Sequence, residues 1–102
     1  MYRGTTPIHI FTTDIDLSEA AAVYITYKQN KHTVVEKTVN DIEFTSEGQT
    51  YTMTVGLTQK ETLMFDSNPV AVQIRARFDD GRAIASNIVN ASVSQILKDG
   101  VI

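Results

Sequence analysis

The feature that most constrains this chain is Val70 to Val93, two apolar stretches hinged on one turn. Val70, Val72, Ile74, Ala76 and Phe78 share one face at a period of two, and Ala71, Gln73, Arg75 and Arg77 share the other. That alternation is the pattern of a half-buried strand. Asp79-Asp80-Gly81-Arg82 follows, and its Asp-Gly pair signals a hairpin because glycine accepts the positive φ of a tight turn. Ala83 to Val93 is predicted to run back as the partner strand. A bulge is expected near Ser86-Asn87, since Ile84 and Ile88 do not keep phase with Val89, Ala91 and Val93. An isolated hairpin is marginal in water, so the rest of the chain must supply a second apolar layer.

It does so in short strands. After Pro7, Ile8, Ile10 and Thr12 alternate with His9, Phe11 and Thr13, with bulk on both faces, as at a sheet edge or where a strand is covered on two sides. Asp16 or Ser18 is predicted to cap a single helical turn through Glu19-Ala20-Ala21. Val23, Ile25 and Tyr27 face inward on a second strand that ends at the polar turn Gln29-Asn30-Lys31. Thr33 to Val39 returns as a third, with Val35, Lys37 and Val39 on one side. Ile42 to Thr45 is a short fourth strand, and Thr50 to Val55 a fifth whose threonines suit a solvent-facing pleat. Thr58 and Glu61 have capping-box spacing. One to two helical turns are therefore expected over Gln59 to Met64, with Leu63 and Met64 toward the core, before Pro69 closes the segment. The pattern predicts an all-β, immunoglobulin-like β-sandwich of about seven strands with one short helix before the penultimate strand. Residues 1–102 form one domain, with 95–102 as an apolar tail.

Composition narrows the function classes. Apolar residues at 42% and charged residues at 21% are globular values. Nine basic against twelve acidic residues leave no excess of positive charge for nucleic acid. The absence of cysteine excludes disulfides, thiol nucleophiles and thiolate metal sites. No run approaches a membrane span, and Met1 to Thr6 has no apolar segment of the kind a signal peptide requires.

Constellations with catalytic or metal-binding spacing do not stand out. His9 and His32 lie on different segments with no carboxylate at a suggestive spacing. Asp14/Asp16 and Asp79/Asp80 resemble calcium-loop fragments without the ligand count a hard cation needs, and turn chemistry accounts for them. Ser86 sits in no nucleophile elbow. Asn90-Ala91-Ser92 matches a glycosylation acceptor but falls within a predicted strand. No catalytic residue, cofactor or metal is expected, and the chain reads as non-enzymatic. Two surface sets remain. Gln73, Arg75 and Arg77 make a basic strip without interleaved aromatics to stack bases, which suits a solvated sheet face or an acidic protein surface. Ile96, Leu97, Val101 and Ile102 put four apolar residues in the last seven. Either Ile96 and Leu97 extend the last strand, or the tail packs on a second copy or another protein. A carbohydrate- or cell-surface-binding module is the alternative, and would want two or three exposed aromatics on one face.

Three segments carry a family resemblance: Arg3-Gly4-Thr5-Thr6-Pro7 leading to Phe11-Thr12, Leu57-Thr58-Gln59-Lys60-Glu61-Thr62-Leu63, and Ile96-Leu97-Lys98-Asp99-Gly100-Val101-Ile102. Together they resemble a group of short phage and prophage proteins of Firmicutes. Those are similar in turn to the immunoglobulin-like N-terminal domain of siphophage upper baseplate proteins. The resemblance implies a structural or accessory protein of a tail or baseplate. It would be made in the bacterial cytoplasm, incorporated into the virion if it is a tail component, and partnered by itself or by other tail and baseplate proteins. Upper baseplate proteins continue into a helical, receptor-binding region, whereas this chain stops at Ile102, so the resemblance does not carry receptor binding over and leaves open a small structural or accessory role.

Overall fold

The computed structural model describes all of residues 1–102. Strands β1 (Ile8–Thr13), β4 (Ile42–Glu47) and β5 (Thr50–Gly56) form one antiparallel sheet in the order β1-β5-β4. Strands β2 (Ala22–Gln29), β3 (His32–Thr38), β6 (Val70–Arg77), β7 (Ala83–Ala85) and β8 (Val89–Ala91) form the other, in which β6 pairs with β2 on one side and with β7 and β8 on the other. The only α-helix, α1 (Gln59–Thr62), precedes β6. The architecture is thus mostly β, in two sheets around one core.

That core comes from both sheets, as the alternation demands. Val23, Ile25 and Tyr27 of β2, Val70, Val72 and Ala76 of β6, and Met53 and Val55 of β5 are buried, with Leu57 and Phe65 beside α1. Each buried aliphatic or aromatic side chain contributes roughly 1.5–3 kcal/mol relative to exposure. The strip Ile8, Ile10 and Thr12 of β1 faces water, while His9, Phe11 and Thr13 face the core side.

The hairpins explain the registers. Gln29 pairs with His32 across Asn30 and Lys31, whose φ values of 53° and 67° give both central residues the positive φ of a type I′ turn. The organising hairpin is built differently from the two-residue Asp-Gly turn. Phe78 N–H donates to the Arg82 carbonyl and Gly81 N–H to the Phe78 carbonyl, and Gly81 alone has positive φ, at 91°. This is a three-residue loop in which glycine supplies the left-handed position.

Other expectations need correction. Ala83 to Val93 is two short strands, because the register against β6 slips by one residue between Ala85 and Val89. Ser86 makes the bulge possible. Its Oγ accepts from Ile74 N–H at 3.0 Å, replacing the ladder carbonyl that the extra residue displaces, and its own N–H donates to the Ile74 carbonyl at 2.8 Å. No helical turn forms at Glu19-Ala20-Ala21. Asp16 Oδ1 instead accepts from Ser18 N–H, and Ala20 N–H closes a turn on the Leu17 carbonyl, so the cap residue is spent on a turn. The α1 capping box forms as expected, Thr58 accepting from Glu61 N–H and Glu61 from Thr58 N–H. The helix ends at Thr62, however, and Thr62 and Phe65 point inward while Met64 is 53% exposed and Leu63 half-buried.

Candidate functional site

Two regions stand out once the strands are in place, a polar-clamped end at α1 and an open side along β1. At the clamped end, Arg3 donates to the carbonyls of Phe65 (2.6 Å) and Leu63 (3.0 Å), carbonyls that the short helix leaves without partners. Gln29, buried at the end of β2, accepts from Asp66 N–H at 2.9 Å and donates to the carbonyls of Asp66 (3.1 Å) and Asn68 (2.6 Å). Thr62 donates to the Thr5 carbonyl at 2.8 Å. Lys37 lies on the core side of β3 because its ammonium meets Glu61 at 2.9 Å. Burial acts to raise the Glu61 pKa, but the bonds from Lys37 and from Thr58 N–H outweigh it and hold the carboxyl below its ordinary value.

The two sheets are joined where the Tyr27 hydroxyl lies 2.6 Å from His9 Nδ1. Burial first, and the Glu61 carboxylate second, push the Tyr27 pKa up, so the hydroxyl keeps its proton beside the ring. Burial, then the N-terminal ammonium, lowers the His9 pKa and favours the neutral imidazole. This pair has the reach of an acid–base couple, yet both groups are held in their neutral forms. No group of three or more histidine, aspartate or glutamate side chains placed to hold a metal ion occurs here or elsewhere in the fold.

The open side is different. β1 and the β7–β8 edge border the same flank of the molecule, and clefts between them reach down to buried core side chains. One cleft, of about 330 Å³, is lined by Leu17, Met53, Ile74, Ala76 and Ile84. A second, of about 370 Å³, continues past Ile10, Phe11, Val72 and Val89. Thr13, Ile74 and Ser86 border both. On the rim, Ile8 and Ile10 are 66% and 65% exposed and Val89 is 59% exposed.

Neither expected surface set belongs to this side. Arg75 and Arg77 are exposed on the outer face of β6 beside Ala22, Tyr24 and Ala83. Gln73 is not free to join them, since its Nε2 donates to the Ser86 carbonyl at 3.0 Å. The tail lies toward the opposite end of β6. Ile96 is half-buried against Gly4, whose missing side chain leaves room for it: a Cβ there would sit 2.9 Å from Ile96 Cδ1. Leu97, Val101 and Ile102 are exposed, while the backbone of Ile102 is held by the Gln59 amide at 2.9 and 3.2 Å. The last strand is not extended through Ile96 and Leu97. Tyr2 instead bridges Ser94 in parallel, and Arg3 N–H donates to the Ser94 carbonyl. Exposed tyrosines are Tyr2 and Tyr24, on separate elements.

The open side escaped the sequence reading because alternation in β1 puts bulk on both faces. The available signal was the run Ile8 to Thr13, six residues without a formal charge at neutral pH. No helix is long and apolar enough to cross a membrane. No family model, curated protein or solved structure matches the chain.

Proposed function

We propose that this chain is a non-enzymatic structural or accessory protein of a phage or prophage, associated with the tail or baseplate and acting through protein–protein contacts on an immunoglobulin-like sandwich. The topology supports the fold part of this reading. With β1 as strand B, the sheets become B-E-D and C′-C-F-G, the division that immunoglobulin-like domains use, with β7 and β8 as the two halves of G. The position of strand A, beside B, is the open edge.

The observation that carries the functional part is apolar surface left in water, at Ile8 and Ile10 on the open side and at Leu97, Val101 and Ile102 on the tail. Such surface marks contact with other proteins. The tail or baseplate assignment rests on the sequence resemblance. The test is mass spectrometry of purified particles from a host carrying the gene, with co-purification of tagged full-length chain and a Leu97–Ile102 deletion against the products of adjacent genes. The expected result is the chain in particles or bound to tail proteins, with capture weakened by the deletion. Absence from particles together with no tail-protein capture overturns the assignment.

A further inference from the structure

We propose that the open edge of β1 pairs antiparallel with the same edge of a second copy of this chain, across a two-fold axis at Ile10. This rests on the reading that the chain works through protein contacts, but not on its phage assignment.

The backbone geometry defines the edge. Leu57 N–H donates to the Pro7 carbonyl, and the register places His9 opposite Val55, Phe11 opposite Met53 and Thr13 opposite Tyr51. Hydrogen-bonded pairs alternate in an antiparallel ladder. Residues 9, 11 and 13 therefore bond to β5, and the N–H and C=O groups of Ile8, Ile10 and Thr12 point outward. β1 pairs with no other strand. All three residues are exposed.

Comparison of the four sheet edges shows that this one alone lacks protection. β4 carries Glu43 and Glu47. β3 carries Glu36 and Lys37 and is bulged against β2. β7 and β8 are three residues each, broken by the slip at Ser86. Short length, charge and bulges are the devices by which native proteins block edge pairing. β1 has six residues in unbroken register, with no charge from Ile8 to Thr13 beyond what His9 would gain on protonation.

A second copy fits this edge better than an unrelated strand because the edge is its own complement. With the axis at Ile10, Ile10 meets Ile10 and each Ile8 meets a Thr12. Every outward N–H then finds an outward C=O, six bonds in all from the alternation of the ladder, with no like charges opposed. An axis perpendicular to the sheet also turns the two β7–β8 edges toward one another in the second layer, where exposed Val89 lines the cleft. Area points the same way. The chain exposes 6670 Å², against about 5,700 Å² for a compact monomer of 11.3 kDa. The excess of roughly 900 Å² is close to one partner's share of a standard interface, ~800 Å².

The test is sedimentation equilibrium of the full chain over a concentration series, with Ile10→Pro, Ile10→Lys and Thr54→Lys. Proline deletes an N–H that makes no bond to β5, and lysine sets two like charges across the axis. Thr54 is the neighbour of Ile10 on the outer face of β5 but contributes nothing to the edge. The wild type should reach twice the monomer mass. Both Ile10 variants should raise the dissociation constant about tenfold or more, since each change acts twice across the axis, and Thr54→Lys should leave it unchanged. Should Ile10→Pro fail to fold, Ile10→Lys decides. A wild type that stays monomeric, a dimer that survives the Ile10 changes, or one lost on deleting Leu97–Ile102 overturns the proposal. A monomer that still captured tail proteins would leave the functional reading standing and remove this inference alone.

Discussion

Around α1, the polar groups that folding buries are matched by partners from distant parts of the chain, whereas along β1 the partners are missing. Arg3 and Gln29 bind backbone that a four-residue helix and its loop cannot satisfy internally, Thr62 of the helix binds the Thr5 carbonyl of the N-terminal segment, and Lys37 reaches Glu61 across 24 residues of sequence. No buried side-chain polar atom is left unpaired. The β1 flank keeps Phe11 half-buried, Ile8 and Ile10 exposed, and its edge unpaired. The difference teaches that a short helix needs a dense polar clamp to end inside a small domain, because unpaired buried groups cost about 1–3 kcal/mol each. An unpaired strand edge costs little while water can reach it, and so can be left for another chain.

The largest expected effect contrasts two phenylalanines. Phe65, packed on Tyr27 with ring centroids 6.2 Å apart, is buried at the clamped end. Phe65→Ala should cost about 3–5 kcal/mol. Phe11 lines the open cleft, so its removal enlarges a space already open to solvent. Phe11→Ala should cost about 2 kcal/mol or less, reflecting partial burial without a new enclosed cavity. Equal shifts in urea midpoint would remove the distinction between the regions.

Gly81→Val comes next. Nothing lies within 4 Å of a Cβ there, and φ is 91°, so the whole penalty is conformational, about 1–2 kcal/mol. An unchanged midpoint would mean that the β6–β7 loop adopts another form.

Smaller effects separate by pH. His9 has a lowered folded pKa, so below 6.5 the unfolded chain binds the proton more readily and stability falls with pH. Glu61, also lowered, contributes fully above its ordinary value of 4.5 and loses that contribution as pH drops through its folded pKa. His9→Phe should flatten the upper part of the acid limb, and Glu61→Gln the lower part. A melting profile unchanged by either variant contradicts the assignment of those groups.

The smallest effect concerns the tail. Deleting Leu97–Ile102 removes two exposed bonds to Gln59 and a 3.7 Å Arg3–Asp99 contact whose carboxylate is mostly in water. It should cost under about 1 kcal/mol. Unfolding of the truncated chain would show that the tail belongs to the domain.

Much of the scaffold was legible because its causes are local. The period of two in β2 and β6, the Thr58/Glu61 box and the break near Ser86 all read directly from neighbours in sequence. The clamp was not legible, since Lys37 looks like an exposed strand lysine until Glu61 is brought beside it. Gln29-Asn30-Lys31 reads as a polar turn, but Gln29 belongs to β2 and is buried, and the turn's type is hidden because lysine gives no local signal for positive φ. Most consequential is β1. Hydrophobicity favours burying Ile8 and Ile10, but register with Met53 and Val55 and the Tyr27 hydroxyl turn His9 and Phe11 inward.

Residue-resolved amide exchange along β1 tests the central contrast most directly. In dilute solution His9, Phe11 and Thr13 should be protected by β5, while Ile8, Ile10 and Thr12 exchange freely. At high concentration all six should be protected, while amides around α1 stay unchanged. Protection of Ile8, Ile10 and Thr12 that is already present in the dilute monomer, or that never rises with concentration, would contradict an open edge awaiting a second copy.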